Sequence, residues 1–135
     1  MSILARSLLP KVELLDKTYF KILIFMKRRH GLDVETFRNY YEQHHVPLCQ
    51  KYSSGISRYV RRYLTPHTHG VTGECTELEY DVITELWFDN EKVFKGTLNY
   101  LSTETMSDEI VADEERFLDR TSFRLVTEVE CVNEN

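Results

Sequence analysis

A single histidine lies on the apolar side of a predicted helix, where an imidazole could do acid–base chemistry. Behind Gly31 and a potential capping residue, Asp33, inward residues recur at three- and four-residue spacing. This stripe consists of Val34, Phe37, Tyr41, His45, Leu48 and Tyr52. Because imidazole titrates near neutrality, a buried His45 could act as a general acid or base. Alternatively, it fixes the helix end by a hydrogen bond.

Two neighbours of His45 extend this interpretation. His44 lies beside the stripe, so it either shares in substrate binding or points toward solvent or a partner subunit. Pro47 lies inside the predicted helix and has no N–H to donate to the carbonyl of Gln43. We therefore expect the helix to kink near Pro47 and to end at Gly55.

A carboxylate in a predicted strand is a second candidate for proton transfer. Glu85 alternates with Ile83 and Trp87, so the three side chains should share one face of the strand. A carboxylate among apolar neighbours has its pKa raised by desolvation, which would suit catalysis by Glu85. The alternative is an inter-subunit salt bridge from Glu85 to Arg58 or Arg62.

Aromatic residues make up 12% of the chain, which is rich for a minimal core. Five of them would line a pocket for a flat, polar aromatic ligand, although each alone is also compatible with ordinary packing. These residues are Tyr41, Tyr59, Tyr63, Trp87 and Phe117. A nearby cluster of Arg58, Arg61 and Arg62 either forms a salt-bridged strand edge or, through Arg61, clamps a carboxylate or phenolate of the substrate.

Composition narrows the class of protein. The 135-residue chain fits one domain, and its net charge of −5 argues against nucleic-acid binding. Three cysteines without metal-type spacing predict reduced thiols and a cytoplasmic protein. We find no targeting segment, no membrane span, no nucleotide fingerprint and no metal motif, so we expect no membrane partner, no metal and no cofactor.

Hydrophobic patterning predicts an α+β domain with the element order β-α-β-β-α-β. Segments rich in β-branched and aromatic residues predict strands over residues 18–27, 56–64, 80–88 and 121–131. The second helical region should begin after Asp89 or Asn90 and continue in a further piece capped by Ser102 or Thr103. This order is that of a ferredoxin-like fold, in which a four-stranded antiparallel sheet carries helices on one face.

The predicted strands carry apolar residues on both faces. In the first strand, Ile22 and Ile24 alternate with Leu23 and Phe25. A monomer would therefore expose an apolar sheet face, which two copies could cover by pairing their sheets. We predict a homodimer with two-fold symmetry.

Several short segments carry a family resemblance. The longest, residues 40–48, is Tyr-Tyr-Glu-Gln-His-His-Val-Pro-Leu, and it is preceded by Lys27-Arg28-Arg29 and Gly31-Leu32. The other segments are residues 55–60, 85–88 and 113–119. Together they resemble the EthD family of the dimeric α+β barrel superfamily, over residues 19–130. The resemblance implies an extension at residues 1–17, an EthD-like domain at 18–131 and a polar tail at 132–135.

The resemblance also implies a pocket between sheet and helices in each subunit. His45 occupies the position of the family's motif histidine, and Asp113 matches a family position from which it would orient an imidazole or pair with an arginine. Related proteins include polyketide cyclases, decarboxylases, dehydratases, lactone isomerases and cofactor-free monooxygenases.

The function we expect is a cofactor-free lyase or cyclase of polyketide tailoring in secondary metabolism. It would act on a polyketide-like or aromatic ring substrate, with His45, Glu85 and Asp113 as catalytic residues. The alternatives are a cofactor-free monooxygenase or lactone isomerase, and a non-catalytic dimer that binds a small metabolite.

Overall fold

Four strands form one antiparallel sheet in the structure, a computed structural model that describes residues 18–103 and 106–134. The strands are β1 (Phe20–Arg28), β2 (Arg58–Tyr63), β3 (Val82–Phe88) and β4 (Leu118–Val126). Their order across the sheet is β2-β3-β1-β4, and each neighbouring pair is antiparallel. This order confirms the predicted ferredoxin-like α+β fold. The predicted extension, residues 1–17, lies outside the described residues.

The helical segments lie between the strands in chain order. They are α1 (Val34–Tyr40), a π-helical turn (Tyr41–His45), α2 (Val46–Gln50), α3 (Glu91–Thr103) and α4 (Asp108–Phe117). Asp33 caps α1, since its Oδ1 accepts a hydrogen bond of 2.7 Å from the Thr36 N–H. Asn90 caps α3 in the same way, by accepting from the Val93 N–H at 3.1 Å. No helix in the described ranges is long and apolar enough to cross a membrane.

The helix that carries His45 changes its hydrogen-bond pattern where a kink was expected. Between Tyr41 and His45 it forms a π-helical turn, and the Val46 N–H donates to the Tyr41 carbonyl. Pro47 follows at the start of α2 and has no N–H for the carbonyl four residues earlier. A π-helical turn accommodates this missing donor, and such turns are frequent at functional sites.

Several predicted boundaries are wrong. The first helical region ends at Gln50 rather than at Gly55. Ser102 and Thr103 belong to the end of α3, and Ser107 caps α4 by accepting from the Ile110 N–H at 3.4 Å. The fourth strand begins at Leu118 rather than Thr121, because Leu118 and Asp119 already pair with Arg28 and Lys27 of β1 directly after α4. A register shift follows between Lys27 and Phe25. The strand ends at Val126 rather than Cys131.

The two sheet faces have different surroundings. On one face, Ile22 and Val82 are fully buried, and Val82 packs in one core cluster with Phe37 of α1 and Phe117 of α4. The alternate residues point to the opposite face, away from the helices. They include Leu23, Phe25, Val60, Ile83, Glu85 and Trp87. A binding site between sheet and helices therefore uses only the first face.

Candidate active site

A cavity of about 430 Å³ lies between the sheet and the helices. Its volume is in the usual range for small-molecule sites. Most of its wall is apolar and comes from Ile24, Met26, Leu86, Leu101, Met106, Ile110, Phe123 and Leu125. The polar part of the wall consists of Tyr41, His45, Cys49, Tyr52, Ser53, Tyr59, Thr84, Ser102, Glu114 and Arg120. Because the exposed surface of the wall is mostly apolar, the cavity suits a ligand that is mostly hydrocarbon.

The polar group of this cavity that is held by both a hydrogen bond and ring packing is the imidazole of His45. It is only 3% exposed, and its Nδ1 lies 2.7 Å from Oδ2 of Asp113. Its ring packs against Phe117 and edge-on against Tyr41, with centroid distances of 4.8 and 5.5 Å. Since Asp113 accepts the proton on Nδ1, the lone pair on Nε2 is available to a ligand.

Asp113 is held by three donors and lies behind the imidazole. Besides His45, it accepts from the Tyr40 hydroxyl at 2.5 Å and from Nη1 of Arg116 at 3.0 Å. Burial acts to raise the pKa of Asp113, but the bonds from Tyr40, His45 and Arg116 outweigh it and hold that pKa below its usual range. Asp113 is therefore an ionised anchor for the ring of His45.

Burial and Asp113 change the pKa of His45 in opposite directions. Removal from water lowers the pKa of His45, whereas the bond to Asp113 raises it, and burial prevails. The imidazole is consequently neutral at physiological pH. A neutral, oriented imidazole with a free Nε2 is suited to remove a proton from a bound molecule.

A chain of hydroxyls crosses the cavity wall beside the imidazole. The Tyr59 hydroxyl donates to the Tyr41 hydroxyl at 3.0 Å, and Tyr41 and Thr84 are joined by a 2.6 Å hydrogen bond. Burial raises the pKa values of Tyr41 and Tyr59, and it raises that of Cys49 to about 11. These groups stay protonated, so they offer hydrogen-bond donors rather than nucleophiles.

Glu114 is a cavity residue that the sequence interpretation missed. It is only 9% exposed and lines the cavity, and its Oε1 accepts from Nε of Arg120 at 3.1 Å. Burial raises its pKa, although Arg120 opposes the change. The available signal was its spacing, because Glu114 follows the inward residue Ile110 by one helical turn.

Glu85 lies on the sheet face opposite the cavity. Its carboxylate accepts from Nε of Arg62 and, at 2.9 Å, from Nε1 of Trp87. Burial acts to raise the pKa of Glu85, but Arg62, Trp87 and Lys21 outweigh it, so the predicted raised pKa is wrong. The salt bridge to Arg62 forms within one chain. Glu85 and His45 cannot share a substrate in this cavity.

The other predicted residues divide between the cavity and its surroundings. Tyr41 and Tyr59 line it, whereas Phe117 is fully buried behind His45. The remaining four predicted residues have contacts away from the cavity. Trp87 lies between Lys21 and Arg58, Arg61 pairs with Glu42, Tyr63 donates to Glu42, and His44 is exposed against Tyr40.

The described residues contain no group of three or more His, Cys, Asp or Glu arranged to hold a metal ion. Within the same ranges, the sheet order and the cavity define a ferredoxin-like domain with a pocket between sheet and helices. The EthD domain family model matches residues 29–121, so this chain belongs to the EthD family. No curated protein matches it.

Two solved structures share the fold at low sequence identity. An ethyl tert-butyl ether D (EthD) family protein from Bacillus halodurans C-125 is 17% identical, with a TM-score of 0.53 over 84% of this chain and 100% of that chain. An EthD-like protein from Ralstonia eutropha JMP134 is 16% identical, with a TM-score of 0.51 over 88% and 96% of the two chains. At this identity the comparison extends to the fold alone.

Proposed function

We propose that this protein is a cofactor-free enzyme in which His45 transfers protons on a polyketide-like or aromatic ring substrate. The observation that supports the proposal is the 2.7 Å bond between His45 Nδ1 and Asp113 in the wall of a largely apolar cavity. The reaction class we infer is that of a lyase or cyclase. Glu85 has no part in it.

The shared chemical step would be the formation of an enolate. His45 Nε2 removes a proton from a carbon next to a ring carbonyl, and Asp113 stabilises the imidazolium that forms. The hydroxyls of Tyr59 and Tyr41 line the same cavity, and Tyr41 accepts the proton of Tyr59. With Thr84 as the donor in its bond to Tyr41, the Tyr41 proton would be free to bind the enolate oxygen. Dehydration and aldol-type cyclisation begin with this step, and decarboxylation produces the same enolate.

We further propose that the protein is a homodimer. The sheet face opposite the cavity carries Leu23, Phe25, Ile83 and Trp87, and pairing two such faces would remove apolar surface from water. In that arrangement each subunit retains its own cavity, because the cavity lies on the helix side.

A ring ketone can test the enolate step without knowledge of the natural substrate. 1-Tetralone has two fused rings and exchangeable hydrogens next to its carbonyl, so deuterium exchange in D2O, followed by NMR, reports proton removal. We expect His45→Gln to lower the enzyme-dependent exchange rate about 10²- to 10⁴-fold. His44→Gln is the matched control, since this neighbouring residue is exposed, and it should exchange like the wild type.

The outcomes separate the rival functions. Loss of exchange in His45→Gln with retained 1-tetralone binding supports the enzyme, whereas equal exchange in both variants contradicts it and favours a metabolite-binding protein. Oxygen uptake with anthrone that depends on His45 would instead indicate a monooxygenase, because a lyase consumes no oxygen.

A further inference from the structure

Besides His45, the cavity wall contains the carboxyl group of Glu114, on the helix that also carries Asp113. One of its oxygens is held by Arg120, at 3.1 Å. In the described part of the chain its other oxygen, Oε2, accepts no hydrogen bond, and the Glu114 side chain lines the cavity. A carboxyl group fixed at one oxygen and free at the other is arranged to meet a ligand.

The charged and ionisable groups around Glu114 come from each element that faces it. Arg120 of β4 lowers its pKa, whereas Asp113 of α4 and burial both raise it, and the raised pKa prevails. Cys49 of α2 and His45 line the same cavity, and both are neutral at physiological pH because burial raises the pKa of Cys49 and lowers that of His45. The protonated form of Glu114 is thus favoured more than that of an exposed glutamate.

His45 and Glu114 together provide two separate proton-transfer positions on one ligand. A lone base suffices to form an enolate, but expelling hydroxide from the neighbouring carbon also requires an acid. We infer that Glu114 is the catalytic acid of this site and that its substrates are ring β-hydroxy ketones, which lose water. The inference rests on the proposed role of His45 as the base.

The proposed elimination balances without a further reactant. His45 Nε2 takes the proton from the carbon between carbonyl and carbinol, and the C–H electron pair becomes the new C=C bond. The C–O bond of the carbinol breaks, and its oxygen receives the proton of Glu114 and leaves as water. One proton then returns from the imidazolium to the Glu114 carboxylate, directly or through water, which restores both residues.

Two matched probes separate the roles of the two residues. 1-Tetralone exchange requires only the base, whereas dehydration of 3-hydroxy-1-tetralone yields 1-naphthol, whose fluorescence reports loss of water. We expect Glu114→Gln to lower naphthol formation about 10²-fold or more while tetralone exchange stays near the wild-type rate. Gln keeps the size and the acceptor for Arg120 but has no acidic proton.

The control variant is Glu115→Gln, which changes the exposed neighbour on the same helix and should leave both rates unchanged. If Glu114→Gln forms naphthol at the wild-type rate while His45→Gln loses exchange, the inference on Glu114 is refuted and the role of His45 stands. If His45→Gln retains exchange, the proposed function itself is refuted, and the inference on Glu114, which rests on it, is refuted with it.

A direct measurement of protonation makes the test independent of turnover. We expect the infrared spectrum of the protein with bound 1-tetralone, in D2O near neutral pH, to contain the C=O stretch of a protonated carboxylic acid. This band should vanish in Glu114→Gln and persist in Glu115→Gln. A spectrum without it would refute the assignment of Glu114 as the acid.

Discussion

Replacing Asp113 by Asn removes the charge behind His45 with almost no change in side-chain size. The Asn oxygen can still accept from Tyr40 and Arg116, which leaves its NH2 group toward Nδ1 of His45. Nδ1 must then accept, so the proton moves to Nε2 and the cavity loses its base. In hydrolase triads this change lowers turnover about 10⁴-fold.

The expected loss in Asp113→Asn is therefore about 10²- to 10⁴-fold in tetralone exchange, or about 3 to 5 kcal/mol of activation free energy. The pH dependence of the residual exchange rate should also shift. Exchange needs neutral His45, so its rate rises with pH through the pKa of His45. Since Asp113 raises that pKa, its loss moves the rise to lower pH.

The assay is deuterium exchange of 1-tetralone as a function of pH, with thermal unfolding to verify that the variant is folded. Asp108→Asn is the matched control, because it removes the same charge from an exposed position of α4. A folded Asp113→Asn protein that exchanges at the wild-type rate would refute the orienting role of Asp113.

Three further predictions concern acid stability, the helix and assembly. The pKa of His45 is lowered on folding, so on acidification the unfolded chain takes up the His45 proton before the folded protein does. The free energy of unfolding should therefore fall as the pH is lowered from about 7 to about 5. Urea titrations should show a smaller fall in His45→Gln. Pro47→Ala supplies an N–H that favours a regular α-helix over the π-helical turn, so tetralone exchange should fall by up to about 10²-fold without loss of thermal stability. Phe25→Glu should convert the dimer to a folded monomer in sedimentation, and an unchanged dimer would exclude this sheet face as the interface.

Much of the architecture follows from hydrophobic periodicity. The stripe from Phe37 through Tyr41 to His45 predicted a helix with an inward histidine, and all three residues are buried. The order of strands and helices left the ferredoxin-like fold as the natural arrangement. Asp113 was different, because only the family resemblance connected it with an imidazole 68 positions earlier in the chain.

The choice of sheet face could not be predicted from the same pattern. Glu85 and Trp87 share a face, as the alternation requires, but both faces of β3 carry apolar residues. Nothing in the alternation indicates which face the helices cover, so Glu85 was assigned to the wrong side. The π-helical turn could not be predicted either. Pro47 predicts that one backbone hydrogen bond is missing, but it does not predict how the helix accommodates that loss.

Asp113 and Glu114 show how one helix can give two adjacent carboxylates opposite properties. Successive side chains of an α-helix point about 100° apart, so Asp113 reaches the back of the imidazole while Glu114 faces the cavity. Three donors lower the pKa of Asp113, whereas burial beside a single arginine leaves that of Glu114 raised. Groups whose environments separate their pKa values in this way are typical of acid–base sites. The same separation is what the proposed elimination needs, because it favours the ionised form of the orienting group and the protonated form of the donor.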